Sequence, residues 1–418
     1  MISNYFYILS DKVLRMALGV VANVMLVAYL APVELGTWNY TLSLASIAGA
    51  ISIFSGLDVV VIRDLAQATT FERGRIMGSV AVLRLLAGAT ATAGSLTFVV
   101  WAGELRLAQL IFIVSLSYFT QVFHTLDYFF QSQLVPRYSA LVLNATTAAG
   151  FVAKVGLMYV NRLDLETLCW ILVLESCLVG AGYVWLVARS FPDMAPRHWR
   201  VEAARVRRYA GAGLALLGSG MVSVFIARVS IFQIDAYFDR ASVAVFGLFV
   251  LVFEAVLMVN YALANAYFPR IIVQHAVPDA YAQALYALIQ RQAALWLCVV
   301  SSIAVVVLVG RDLLAPFLNP VYCQSLTMIL LGLPVTALFV VNFDLLQFLI
   351  IPLGNEQHQL ARALLGLSVL VAANTVFFST GAVAAAVGSI ALSQLSMLTF
   401  TMVIFYKEIR RIWRARGA

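Results

Sequence analysis

Five ionisable side chains interrupt runs of otherwise apolar sequence. Glu254 lies in AVFGLFVLVFEAVLMVNYAL (Ala244–Leu263) and is the one charged residue of those twenty. Arg84, Lys154, Glu175 and Arg228 stand in comparable surroundings. A charge at the centre of a hydrocarbon layer costs about 2.5–3.5 kcal/mol or more, so such residues pair, line a wet cavity or carry function. Two chemistries suit them. Arginine offers a planar fork to phosphate oxygens and lysine a point charge. A carboxylate can take up and release a coupling ion. Arg228, Lys154 and Arg84 are therefore candidates for binding an anionic substrate, and Glu254 for ion coupling. Snorkelling to the headgroups is the competing reading for Arg84 and Lys154.

These residues need elements to hold them. The chain has 418 residues, of which 63% are hydrophobic and 11% charged, with a mean hydropathy of +0.94. A soluble domain must clothe its surface in polar groups, so this composition indicates a polytopic membrane protein. Apolar runs long enough to cross a core of roughly 30 Å as helices recur throughout. A β-barrel would show short alternating segments instead. The reading is all-α, with twelve membrane segments at about 13–31, 38–62, 79–101, 107–131, 138–160, 165–188, 209–233, 242–266, 291–310, 323–351, 361–380 and 383–406. The first apolar run, from Val13 to Ala31, is too long for a cleaved signal, and no cleavage site follows it.

One longer polar stretch, ARSFPDMAPRHWRVEAARVRRYA (Ala188–Ala210), divides the chain. It predicts an N-terminal six-helix lobe over 1–190, a basic linker over 191–208 and a C-terminal six-helix lobe over 209–418. With the N-terminus inside, twenty of the 27 Lys and Arg residues fall on the inner side. Only Arg106, Arg162, Arg240 and Arg311 fall outside, and Arg84, Lys154 and Arg228 lie within segments. This asymmetry supports the topology, with both termini cytoplasmic. The net charge of +7 then reads as a topology signal with affinity for anionic lipid, and gives no case for nucleic acid.

Helix rise sets the depths. Lys154 and Arg228 lie roughly 8–9 Å below the outer surface, and Arg84 a similar distance from the inner one. Glu254 and Glu175 are near mid-depth. Glu254 is too short to snorkel, so it either couples ions or pairs with Arg228 on the preceding helix, about 10 Å away in depth. Glu175 reads as a buried, hydrogen-bonded acid. Asp58, Asp127 and Asp344 lie near inner helix ends, where pairing with Arg63, Arg137 or other bases competes with function. Asp58 is the second candidate for ion coupling. The four cysteines form no Cys-x-x-Cys pair and the four histidines have no ligand spacing, so no metal, cofactor or catalytic residue is expected.

The stretch MLVAYLAPVELGTWNYTLSLASIAGAISIFSGLDVVVIRDLA (Met25–Ala66) resembles the opening of polysaccharide flippases, a branch of the multidrug/oligosaccharidyl-lipid/polysaccharide exporter superfamily. Ala31, Pro32, Gly36, Asn39, Tyr40, Gly56, Leu57, Asp58, Arg63 and Asp64 carry the match. DYFFQS (Asp127–Ser132), FEAV (Phe253–Val256) with YFPRI (Tyr267–Ile271), and LLQFLIIPLGNEQ (Leu345–Gln357) extend it into both halves. One position departs: where the family carries Arg-x-Asp, this chain has Arg228 and Ser230, with Asp235 further on.

The resemblance implies two six-helix lobes around a central cavity that opens to alternate sides. It implies transport, not enzymatic activity. The cargo would be an undecaprenyl-pyrophosphate-linked oligosaccharide, moved to the periplasmic leaflet of the bacterial inner membrane for surface polysaccharide such as O-antigen or exopolysaccharide. A proton or sodium gradient would drive it, with a polysaccharide polymerase and chain-length regulator as partners. There is no Walker A motif for an ATPase. A drug/cation antiporter of the same superfamily and a membrane polysaccharide polymerase are the alternatives. The short outer loops speak against the polymerase.

Overall fold

The computed structural model describes residues 2–53, 57–133, 135–274, 278–314, 322–346, 348, 356–406 and 410. Gly56 of the Gly-Leu-Asp motif, much of Leu345–Gln357, and 411–418 lie outside them. Among the described residues the chain is helical, without strands. The helices are α1 (Ile2–Tyr29), α2 (Pro32–Ile53), α3 (Leu57–Gln67), α4 (Thr70–Trp101), α5 (Leu105–Thr120), α6 (Thr125–Ser132), α7 (Pro136–Tyr159) and α8 (Leu165–Ser190). After them come α9 (Ala203–Tyr237), α10 (Arg240–Gln274), α11 (Pro278–Leu314), α12 (Cys323–Leu345), α13 (Glu356–Phe378) and α14 (Ala385–Ile404). Ten of the described segments are long and apolar enough to span a membrane. α1 contributes only a shorter apolar stretch, Leu14–Tyr29, and α2 is not among the ten, so ten of the twelve expected spans meet the length and hydropathy that a crossing needs among the described residues. In position the twelve predicted segments follow the helices in order, the second overlapping α2 and α3 and the fourth α5 and α6.

Local chemistry sets the helix ends. Thr69 and Glu72 form a reciprocal capping box at the start of α4. Asp164 caps α8 by accepting from the Thr167 N–H at 2.8 Å, and the Thr167 contacts hold its carboxyl below the ordinary range. The turn before it passes through Asn161 at φ 53°, a left-handed conformation that asparagine tolerates. α5 does not run straight into α6. A 3-10 turn, Gln121–His124, separates them.

The chain packs as two compact units. Unit 1 comprises Met1–Met25 and Tyr40–Val224, and unit 2 comprises Leu26–Asn39 and Phe225–Ala418. In unit 1 the aromatics of DYFFQS form the centre of the core. Phe129 and Phe130 are almost fully buried and pack edge-on or tilted against Tyr138, Tyr183 and Phe191. The polar stretch after α8 is not a loose tether. Met194 is buried, the Arg200 N–H donates to the Gly74 carbonyl at 3.2 Å, and the Glu202 N–H donates to Ser79 Oγ at 3.1 Å. Gly74 and Gly78 admit this backbone against α4. In unit 2, Phe246, Phe249, Phe253 and Phe339 stack in sequence between α10 and α12.

Gly36 meets the Arg240 carbonyl so closely that any Cβ would overlap it. The space around Gly94 is open. Gly36→Ala is therefore expected to destabilise the purified protein by about 1–3 kcal/mol. Gly94→Ala should be neutral or slightly stabilising. Thermal unfolding midpoints of the two variants in detergent check the contrast.

Candidate functional site

The intramembrane charges resolve into separate arrangements, each within one unit. In unit 2, Arg228 on α9 meets Glu254 on α10, with Nη2 to Oε1 at 3.3 Å. The estimated depth difference of about 10 Å is spanned by a long and a medium side chain on consecutive antiparallel helices. The Glu254 side chain is 47% exposed and that of Arg228 25%. A carboxylate left half uncovered in a spanning helix is costly in lipid, and its pairing with Arg228 offsets part of that cost.

In unit 1, Lys154 on α7 meets Glu175 on α8, Nζ to Oε1 at 2.9 Å. Glu175 is therefore ion-paired as well as hydrogen-bonded. Gly150, one turn before Lys154, is what admits the carboxylate. A Cβ there would collide with the Glu175 carboxyl. Arg84 is of a third kind. It is only 3% exposed, donates to the Gln121 carbonyl at 3.0 Å and to the Tyr128 hydroxyl, and lies 4.9 Å from the Tyr128 ring centroid. This guanidinium ties α4 to the 3-10 turn and α6. Its Nε is buried with no hydrogen-bond partner among the described residues.

The acids near helix ends divide similarly. Asp58 lies in the first turn of α3 and is partly exposed. Arg63 pairs with Asp64 at 3.2 Å, not with Asp58. Five residues on one helix are about 140° apart around the axis, which keeps the two from meeting. Asp64 also takes Arg208 and the Tyr209 hydroxyl, each at 3.0 Å, fixing the start of α9 to α3. Asp127 accepts from Gln131 at 2.8 Å and from the Ser139 hydroxyl, so hydroxyl and amide groups hold it. Asp344 accepts from Gln292 at 3.1 Å. Asp235 pairs with Arg240 at 2.8 Å, across the short turn between α9 and α10. It does not replace the missing acid at Ser230. There, Asn374 on α13 donates to Ser230 Oγ at 3.0 Å and Gln233 Oε1 at 2.8 Å, an uncharged cluster.

Arg228–Glu254 is one of the two arrangements the sequence left open for Glu254, whereas Lys154–Glu175 was missed. The signal was present. α7 and α8 are joined by a turn of a few residues, and the two depths differ by only about 6 Å. Gln121 and His124 were missed as well, since they became polar landmarks only because α5 breaks there.

Comparison with known proteins adds the fold. No protein-family model matches the sequence, and no curated protein does. Among solved structures the chain is similar to an inward-facing multidrug resistance MATE family transporter of the MOP superfamily, with a TM-score of 0.78, 12% identity and 99% of each chain covered. It is similar to the lipid II flippase MurJ in an inward closed conformation, with a TM-score of 0.70, 10% identity, and 100% of this chain and 90% of that one covered. A MOP superfamily transporter from Pyrococcus furiosus matches with a TM-score of 0.60 and 11% identity, over 99% of this chain and 96% of that one. The protein is a polytopic, two-lobed helical membrane protein whose fold is similar to that of these MOP superfamily transporters.

Removing one partner of a partly buried pair leaves an uncompensated charge, whereas removing both does not. Lys154→Met is thus expected to destabilise by roughly 1–3 kcal/mol. The double variant Lys154→Met/Glu175→Gln should recover much of that loss. Unfolding midpoints of the two variants and the wild type supply the comparison. Equal losses in single and double variants would show that the pair is not coupled.

Proposed function

We propose that this chain is a flippase. It carries undecaprenyl-pyrophosphate-linked oligosaccharide units from the cytoplasmic to the periplasmic leaflet of a bacterial inner membrane, for surface polysaccharide synthesis. Transport proceeds by alternating access of two six-helix lobes and is coupled to a proton or sodium gradient. Arg228 contacts the pyrophosphate, and Glu254 holds Arg228 and releases it as the coupling ion binds. Lys154, Arg84 and Asp58 complete the candidate set. Lys154 and Arg84 act through the partners that already hold them. A polysaccharide polymerase and a chain-length regulator are the expected partners.

The observation that carries this reading is the half-exposed Arg228–Glu254 pair, 3.3 Å apart on consecutive spanning helices. A cation held loosely by a half-exposed carboxylate can exchange that partner for a phosphate oxygen, since both are bidentate acceptors for a guanidinium. The likeness of fold to a lipid II flippase and the polysaccharide-flippase pattern of Met25–Ala66 support a lipid-linked cargo. The likeness to a multidrug transporter makes a drug/cation antiporter the rival. Against it, Glu175 and Glu254 each already carry a basic partner, so neither presents an uncompensated carboxylate to an organic cation.

Cells lacking the protein are expected to lose surface polysaccharide and to accumulate lipid-linked units accessible only from the cytoplasmic side. Normal surface polymer in those cells sinks the flippase reading. Arg228→Ala should cut export by on the order of tenfold or more, as loss of a charge-assisted contact implies. Glu254→Gln should make export respond differently to external pH while the protein stays in the membrane. Export by Glu254→Gln that matches wild type at every pH would reduce Glu254 to a structural partner.

A further inference from the structure

Unit 1 holds an open cavity of about 540 Å³ between α2, α5, α7 and α8. Its size falls within the roughly 300–1,000 Å³ typical of small-molecule sites. Its lining includes Gln121 and His124 of the 3-10 turn that interrupts α5 and α6, a kind of break that marks binding sites in membrane transporters. The break is held open by local hydroxyls and packing. Thr120 Oγ1 donates to the Ser117 carbonyl at 2.9 Å and lies 2.6 Å from Ser176 Oγ. Gly180 lets Phe123 approach α8.

Three groups in the cavity have spare capacity. Gln121 Oε1 and His124 Nε2 are buried and make no hydrogen bond among the described residues. Glu175 gives one carboxylate oxygen to Lys154 and lines the cavity with its side chain. The amide oxygen and the carboxylate are acceptors, and an imidazole nitrogen pairs with a hydroxyl in either tautomer. The Tyr118 ring forms part of the wall, its hydroxyl already donated to the Ala45 carbonyl at 2.8 Å.

This inventory selects a ligand class. An anion supplies acceptors only and would meet the Glu175 carboxylate. Arg84 is committed to Gln121 O and Tyr128, and Lys154 to Glu175. A cation would have to displace Lys154. An uncharged ring bearing several hydroxyls supplies the missing donors and lays an apolar face on Tyr118. We propose that this cavity is a subsite for one neutral sugar ring, bound through its hydroxyls by Gln121, His124 and Glu175. The proposal rests on the flippase reading, because the ring would belong to the lipid-linked cargo.

The test uses the purified full-length protein in nanodiscs and saturation-transfer NMR. The probes are the methyl glycosides of a neutral hexose, a 6-deoxyhexose and an N-acetylhexosamine, with methyl glucuronide and tetraphenylphosphonium as charged comparators. At least one neutral glycoside should bind saturably and more tightly than either charged probe. Gln121→Leu and His124→Leu should each weaken it by roughly tenfold, as expected for one hydrogen bond. Gly49→Leu, which fills the cavity, should abolish binding. Gly49→Ala should retain it, since a Cβ there meets Tyr118 at an ordinary 3.7 Å. Thermal unfolding of each variant identifies any that fail to fold, and the remaining ones decide. Absence of saturable neutral binding, binding unchanged in every folded variant, or preference for tetraphenylphosphonium overturns the proposal. The flippase reading fails separately, on normal polymer in cells lacking the protein.

Discussion

The cost of holding charge away from water organises this molecule. Backbone polar groups meet that constraint by forming helices, which is why the described chain is helical and strand-free. Side chains meet it in three ways. Lys154 and Glu175 neutralise each other at 2.9 Å. Arg84 is enclosed by a carbonyl, a hydroxyl and an aromatic face. Arg228 and Glu254 pair while part of each side chain stays exposed. The two ion pairs thus differ in exposure: Glu254 keeps about half of its side chain uncovered, against 23% for Glu175.

The same constraint explains where the polar groups without full partners lie. The break between α5 and α6 frees backbone carbonyls at membrane depth, and serine and threonine hydroxyls together with Arg84 occupy them. Irregular backbone is tolerated within a membrane where it is enclosed by protein or lines a cavity, and here it does the latter. In unit 2 the corresponding economy is different. Ser230, Gln233 and Asn374 form an uncharged cluster there.

Composition, run length and the distribution of arginine and lysine determined the class of protein, the helical segments and their order. These properties follow from one-dimensional physics: a helix must be about as long as the membrane is thick, and basic residues favour one side of it. Single-residue logic also offered the Arg228–Glu254 pair as one of two arrangements for Glu254, because consecutive helices in a hairpin must lie side by side. Only the tertiary structure decided which charges are neutralised, which are enclosed and which stay partly exposed. It placed Asp64 between Arg63, Arg208 and Tyr209, docked the basic stretch after α8 on α4, and opened a cavity beside Gln121 and His124. Those outcomes depend on helix rotation and on contacts between residues distant in the chain. A hydropathy pattern carries neither, because a shift of one residue turns a helical side chain by about 100° and leaves the run of apolar letters unchanged.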